Sequence, residues 1–556
     1  MQIPTETDVL ISGLGPCGLM LANELGKRGV RAVLVDPKAT TAFNPQANAT
    51  QARSMEHYRR HGFADEIRAI GLPPDFPTDI AYFTRMAKYE LARFQLPAAK
   101  DAKAIIKGMS GSWSAAELPH RISQKYVEQV LLKHARKYES NTICFNTRLT
   151  GFRDLGTHIE AQVEPVAGGA PATVRAKYLV GADGARSLVR KELGFSLEGE
   201  GSRQREFMGG RMYAIYLRCL GYYEAMPHAP AWMNVTVNPD VRAFMTAIDG
   251  KSEFAFHFQL KPGVDEETIG EDEARRFVYD GWGKEVPIEI LSRTGWHAGY
   301  TLVANRMQKG RVFIGGDAAH LFTPAGGMGY NTAIEDAVNL GWKLAAVVKG
   351  QAGEALLDSY EAERRAVAVR NTGFARAFAD SLGNFVATPA LEGNTPEGEE
   401  ARRIAGEYYN KHARAEFNIP GFTLGARYDG SPVIAGDGTP PPPDGPNIYH
   451  PTACPGGRAP HMWLEDGRSL YDGFGFEWTL LRMSANAQTD TIVASARAMG
   501  MPLTVLDLHD RDLRDLYEAD AALIRPDQVV AWRGSGASAN AEQLIAKVTG
   551  HAASPQ

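Results

Sequence analysis

At 556 residues, with 44% hydrophobic and 22% charged residues, the chain is too long for one ordinary domain and has the balance of a folded globular protein. Its 60 basic and 65 acidic residues give a net charge of −5 with no basic run, which argues against nucleic acid or an anionic membrane as partner. Four dispersed cysteines (Cys17, Cys144, Cys219 and Cys454) and the lack of HExxH-type spacing exclude a disulfide scaffold, a CxxC pair and a zinc site, so no metal is expected.

The N-terminus, MQIPTETDVLISGLG, lacks a basic n-region, and no run of about 18 apolar residues suggests a membrane span, so a cytoplasmic protein with no membrane partner is expected. Asp8–Gly13 reads as a buried strand, Pro16 to about Arg28 as a helix capped by Gly29, and RAVLVD as a strand ending at Asp36. This is a βαβ opening. Helices are expected over Arg53 to about Ile70 and Lys125–Tyr138, and a strand pair over Thr142–Val163. YLVGADGARSLVRKELG reads as strand, turn and short helix. From Met208 to His257, segments such as RMYAIYLR and FAFHFQL suggest a separate, largely antiparallel sheet. RVFIGGD returns to the buried-strand pattern, and helices run from Thr332 to about Leu382.

TPALEGNTPEGEE then reads as an acidic, proline-containing loop, and the four consecutive prolines after Thr439 as a stiff connector. Beyond it the order is strand (FEWTLLRM), helix (TIVASARAM), strand (PLTVLDL), two short strands (AALIRPDQVVAWR) and helix (AEQLIAKVTG). That order resembles a thioredoxin-like fold without its dithiol, since the tail holds Cys454 alone. There are no internal repeats.

Three stretches carry chemistry. Gly13-Leu14-Gly15-Pro16-Cys17-Gly18 is a GxGxxG at a strand-to-helix turn, where missing Cβ atoms and a helix N-terminus suit a pyrophosphate. Asp36 ends the next strand, where an acid can accept hydrogen bonds from a ribose. These two features do not separate NAD from FAD. In GGDAAHLFTPAGGMGYNTAIEDAVNLGWKL, Asp317 ends a buried strand and needs hydroxyl partners such as those of a ribityl chain. Gly326, Gly327 and Gly329 follow Pro324 directly before a helix whose N-terminus favours the negative charge of a reduced isoalloxazine. Glu335 and Asp336 in its first turn, and Lys343 and Lys349 near its end, complement the macrodipole, and Ile334, Ala337, Val338, Gly341, Ala345 and Val348 form its buried stripe.

With GLGPCG, YLVGADGARSLVR, the GD-to-helix stretch and LLDSYEAERR in this order, the chain resembles the single-component FAD-dependent aromatic hydroxylases, also called class A flavoprotein monooxygenases. GGRAPHMWLEDGRSLYD and LIRPDQVVAWR resemble the C-terminal domain of the phenol and polyketide hydroxylase branch. The resemblance implies an α/β fold. A discontinuous Rossmann-like FAD-binding domain (1–75, 105–200 and 297–385) would carry an inserted substrate sheet (76–104 and 201–296). A linker (386–446) and a thioredoxin-like domain (447–556) would follow. It implies hydroxylation of a phenolic or related aromatic compound with NADPH or NADH and O2, through a flavin C4a-hydroperoxide. The tail's apolar strands suit packing or a subunit interface, which leaves a homodimer open.

The same resemblance assigns the pyrophosphate to Gly13, Gly15, Pro16 and Gly18, the adenosine ribose to Asp36, and the ribityl chain to Asp317. It places Arg53 near the FAD phosphates, Gln124 at the flavin side, and Asp183 near both FAD and the nicotinamide nucleotide. Gly327, Gly329, Tyr330 and Asn331 would border the pyrimidine edge of the ring, and Pro324 the reactive C4a position. The chain departs at Gln46, where many relatives have arginine, and at Asn48, where phenol hydroxylases carry an acid; an amide cannot act as that base. On the substrate side the candidates are Tyr213, His257, Trp296 and His297, with His257 alternating away from Phe254, Phe256 and Phe258. Two rival readings are a flavin dehydrogenase or oxidase of the same fold, which inserts no oxygen, and a nucleotide-binding regulatory protein.

Overall fold

The computed structural model describes residues 3–201, 210–537 and 540–551. Met208, where the antiparallel region was expected to begin, lies outside them. The first sheet is built on five parallel strands in the order Val312–Ile314, Ala172–Gly181, Glu6–Ser12, Ala32–Asp36 and Asn141–Phe145. The apolar runs of Glu6–Ser12, Ala32–Asp36 and Val312–Ile314 are buried on both faces, as central parallel strands are. The expected strand pair over 142–163 is three strands, because Asn146 (φ 53°) breaks it and lets Asn141–Phe145 join the parallel sheet. The expected helix over 53–70 is likewise two, Ala52–His61 and Ala64–Arg68, divided by left-handed Gly62.

A second sheet has seven strands, in the order Glu289–His297, Arg211–Arg218, Glu253–Gln259, Arg242–Ala247, Met233–Val237, Ile80–Phe83 and Glu90–Phe94. All neighbours are antiparallel except Met233–Val237 with Ile80–Phe83. Residues 76–104 thus contribute two strands to a sheet whose other strands begin at Arg211: the apolar Ile80–Phe83 is buried throughout, and Glu90–Phe94 forms the more exposed edge. One face carries Phe254, Phe256 and Phe258 and packs on the helix Glu271–Trp282, where Phe258 stacks on Phe277 at 4.4 Å.

The stretch expected to be an acidic loop starts the 22-residue helix Pro396–Phe417. Its start is readable after the fact: Thr395 Oγ1 accepts from Gly398 N at 3.2 Å, Pro396 takes the first turn and Glu397 follows. The helix lies on the outer strands of the second sheet, with Tyr409 stacked on Tyr82 at 4.7 Å, so 386–446 is more than a linker. In the tail, a four-stranded sheet runs Leu503–Asp507, Trp478–Arg482, Ala521–Ile524 and Val530–Gly534, the first pair parallel and the others antiparallel. No helix of the described residues is long and apolar enough to cross a membrane.

The helix after the glycine loop runs Gly329–Val348, three residues earlier than expected, and is buried almost all round as far as Ala345. Glu335 and Asp336 therefore do not serve its dipole. Asp336 accepts from Arg364 Nε at 2.8 Å and Gly316 N at 3.0 Å and lies 2.6 Å from His320 Nε2. A Cβ at Gly341 would fall 2.5 Å from Glu24, which is why a glycine sits where this helix crosses Pro16–Lys27.

Candidate active site

The carboxyl ends of the parallel strands converge on one edge. Gly13 (φ +108°) lies so close to the next strand end that a Cβ would meet Ala182 O at 2.1 Å, and a Cβ on Gly18 would meet Gly13 O at 1.9 Å. These two glycines are demanded by the protein's own packing. Gly15 differs: a Cβ there would meet nothing within 4 Å, so its backbone faces open space at the start of the helix Pro16–Lys27, with Pro16 in the first turn. That is where a helix N-terminus can receive a phosphate. Asp36 is 4% exposed and takes Leu14 N at 2.7 Å and Lys38 N at 2.8 Å on separate oxygens, each with a lone pair left for a hydroxyl.

Asp317 sits in a short helical turn, Gly316–Ala318, at the end of Val312–Ile314. Its carboxylate is reachable from outside yet closely surrounded by protein, the setting of a group on the floor of a cleft. That crowding pushes its pKa up, with His320 opposing. It makes no hydrogen bond to a described side chain or backbone group, so its acceptor capacity points outward. His320 is fully buried, and burial of Asp336, which alone would raise its pKa, is outweighed by His320 and Arg364. This pair braces the turn from behind. The sequence reading missed it, although the GDAAH motif carries the histidine.

In the glycine loop, Gly326 (φ 72°) and Gly327 (φ 63°) are left-handed, and Cβ atoms there would crowd Phe422 at 3.3 Å and Ala49 at 3.2 Å. So two of the three glycines answer first to backbone conformation. Asn331 is a strut: its amide donates to Ala49 O (2.9 Å) and Gly327 O (2.6 Å), and its oxygen accepts from Gln51 N (2.8 Å) and Ser54 Oγ (2.7 Å). Its side chain is saturated, and only its backbone can face a ligand. Tyr330 is tied to Tyr58 through their hydroxyls. The N–H groups of Gly329, Tyr330 and Asn331 open the helix and have no acceptor in a preceding turn. Pro324 and Gly327 are half-buried beside them.

Three further candidates already have protein partners. Arg53 does not reach toward the glycine turn. It donates to Glu56 (2.9 Å), Gln528 (2.8 Å) and Asp527 O (2.5 Å), joining the helix Ala52–His61 to the tail. Asp183 closes its own turn by accepting from Leu188 N (2.8 Å), Val189 N (3.2 Å) and the Ser187 hydroxyl. Gln124 donates to Glu128 at 2.7 Å while its backbone N holds Ala47 O at 2.7 Å.

Register separates the substrate-side candidates. Tyr213 pairs with Phe258 and shares the helix-covered face, where Arg293 donates to its hydroxyl at 3.1 Å, so Tyr213 is not a cavity residue. His257 pairs with Ala214 and Phe244 on the opposite face. That face turns to the FAD-site unit: Tyr216 and Ala255 on it pack with Tyr126 of the helix Gln124–Ala135. His257 stacks on Phe244 at 4.4 Å and meets the Trp296 edge at 5.5 Å. Burial pushes its pKa down to about 4, so it is a neutral ring at pH 7. Its Nδ1, Thr246 Oγ1 and Trp296 Nε1 are buried without a protein partner. His297 instead stacks on Tyr300 at 5.8 Å. Phe244 was not foreseen, because only the strand register brings it beside His257. Among the described residues no cluster of His, Cys, Asp or Glu is placed to hold a metal ion.

The residues at the strand edge fit a dinucleotide, and sequence comparison names it. A family model described as "FAD binding domain" matches residues 6–375, and one described as "Aromatic-ring hydroxylase, C-terminal" matches 452–553. The chain belongs to the FAD-dependent aromatic hydroxylases. It is 32% identical to aklavinone 12-hydroxylase RdmE of Streptomyces purpurascens, covering 97% of each chain. It is 30% identical to phenol 2-monooxygenase of Pseudomonas sp. strain EST1001, covering 97% of this chain and 92% of that one. The structure of the rebeccamycin biosynthetic enzyme RebC with reduced flavin superposes with a TM-score of 0.87 at 32% identity, covering 99% of this chain and all of RebC. The hydroxylase is thus a FAD flavoprotein monooxygenase acting on an aromatic small molecule.

Proposed function

We propose that the enzyme uses NADPH or NADH and O2 to hydroxylate a phenolic ring held between the glycine loop and the inner face of the seven-stranded sheet. The observation that carries this is Asp317: a crowded but reachable carboxylate without a protein partner, at the strand end before the glycine loop. In this reading Asp317 holds the ribityl hydroxyls, Gly13, Gly15, Pro16 and Gly18 the pyrophosphate, and Asp36 the ribose. The first-turn N–H groups of Gly329–Asn331 face the pyrimidine edge, and Pro324 borders the reacting side of the ring.

FAD, when bound, supplies hydride acceptance and oxygen activation. The chain's share is to orient the ring system, place positive potential at a helix N-terminus worth about 0.3–1 kcal/mol or more when buried, and keep water away from the aromatic face. Neutral His257 with Phe244 and Trp296 forms an aromatic cluster with polar atoms left over for the substrate's substituents. The tail's strand order and directions support a thioredoxin-like unit without redox chemistry, since Cys454 is buried and free. Turnover under labelled O2 tests the reading. One labelled atom in the hydroxylated product supports it. Label from water only, or peroxide as the sole fate of O2 with every phenol tried, replaces it with an oxidase.

A further inference from the structure

The segment before the helix Gln124–Ala135 crosses between the FAD-site unit and the seven-stranded sheet. His120 and Thr50 exchange backbone hydrogen bonds of 2.8 Å each, which sets the next residue, Arg121, beside the 47–50 stretch. Arg121 is 6% exposed. Its guanidinium lies 4.6 Å from the centroid of the Trp232 ring and 5.8 Å from that of Phe417. It makes no hydrogen bond and no ion pair with any described residue. The acid whose charge reaches it is Glu416, which accepts from Gly326 N at 3.0 Å and lies 2.8 Å from His412 Nε2. Burial draws the arginine's pKa down to about 10, and Glu416 opposes this only in part.

Five N–H donors on a desolvated cation are costly to leave without acceptors, and an aromatic face offsets the charge without supplying one. Other buried or half-buried cations around the same sheet have partners: Arg242 donates to Phe385 O at 2.6 Å, Arg293 to Tyr213, and Lys125 lies 3.1 Å from Glu253. Arg121 thus stands apart as a buried guanidinium with an aromatic shelf and no acceptor. Its acidic neighbour, Glu416, is fastened to the glycine loop two residues after Pro324.

We propose that Arg121 anchors an anionic oxygen group, a carboxylate or a phenolate, on the aromatic substrate. The guanidinium fork offers parallel donors to such a group, while Trp232 and Phe417 flank the attached ring. Glu416, which holds Gly326 N, puts the loop carrying Pro324 within electrostatic reach of Arg121, so the anion would also set which ring carbon faces the reacting edge. The inference rests on the aromatic-substrate reading above for the ring, but its test involves no turnover.

Binding to the oxidised, FAD-loaded enzyme is measured by flavin absorbance with two matched pairs of probes at pH 8. 3-Hydroxy-2-naphthoate against its primary amide reports a carboxylate; pentafluorophenol, which is ionised at that pH, against pentafluoroanisole, which cannot ionise, reports a phenolate. At least one anion should bind about tenfold or more tightly than its neutral partner, a difference near 1.4 kcal/mol. Arg121→Met should erase that preference, and Arg121→Lys should keep part of it. Because the methionine variant removes an unpaired buried charge, its Tm without ligand should rise and its FAD content should hold. Two neutral-equals-anion results in the wild type, a preference that survives Arg121→Met, or a lowered Tm in that variant would each overturn the proposal. Failure to hydroxylate would leave a positive binding result standing, so the two readings fall separately.

Discussion

Two polar regions of this molecule treat their buried groups in opposite ways. Between the helices Gly329–Val348 and Ala355–Gly383 and the tail, every charge is answered. Glu363 accepts from Lys343 (2.6 Å), Asn339 (2.7 Å), Ser431 (2.7 Å) and both terminal nitrogens of Arg525 (2.6 and 2.9 Å), and Arg525 also holds Asp527. On the inner face of the seven-stranded sheet, His257, Thr246 and Trp296 keep buried polar atoms with no protein partner. Burial is similar in both places, but the charges of the first are paired, with only the neutral Asn339 Oδ1 and Trp342 Nε1 left over there. A network that closes on itself fixes how the tail sits on the FAD-binding unit, whereas groups left open are the ones a ligand can complete.

The largest effect should come from opening the closed region. Glu363→Ala leaves Lys343 without its carboxylate and Arg525 with only Asp527, and breaking such a buried pair costs about 3–5 kcal/mol. Chemical denaturation should show a loss of that size, with the tail loosening first under limited proteolysis. A change below about 1 kcal/mol would mean that the network is not what joins the two parts.

A smaller, pH-dependent effect is expected on the open face. The folded state holds His257 at about 4 against an ordinary 6.5, so between those values it binds fewer protons than the unfolded chain. Stability therefore falls as pH drops from 6.5 toward 4, by on the order of 3 kcal/mol from this group, and is untouched above 6.5. His257→Phe should flatten that part of the stability–pH curve while changing stability at pH 7.5 little. If the slope persists in the variant, the ring is solvated and the face is not a dry wall.

The smallest expected change is at the strand edge. Asp317→Ala removes acceptors for ribityl hydroxyls worth about 0.5–1.5 kcal/mol each, somewhat more when charge-assisted, without disturbing a protein hydrogen bond. FAD affinity, followed by flavin fluorescence on release, should fall about tenfold, with the apoprotein's Tm unchanged or raised. Unaltered FAD affinity would remove Asp317 from the FAD site.

Much of this was legible in the chain itself. GLGPCG, Asp36 and the GD-to-helix stretch lie at strand ends because local pattern decides them: apolar runs make the parallel strands, and glycine is required where a Cβ would strike Ala182 or Gly13. The alternation around His257 was readable too, since a strand's period of two needs no partner to be seen. What the chain could not decide by itself is which of two faces meets a cavity. Tyr213 and His257 lie on strands that pair directly, yet only the register puts one under the helix Glu271–Trp282 and the other beside Phe244. Nor could sequence show that Arg53 turns to Gln528, that Glu335 and Asp336 are interior, or that Arg121 has no partner. Those outcomes depend on contacts between residues tens to hundreds of positions apart, and a charged side chain's role follows from whether such a contact exists.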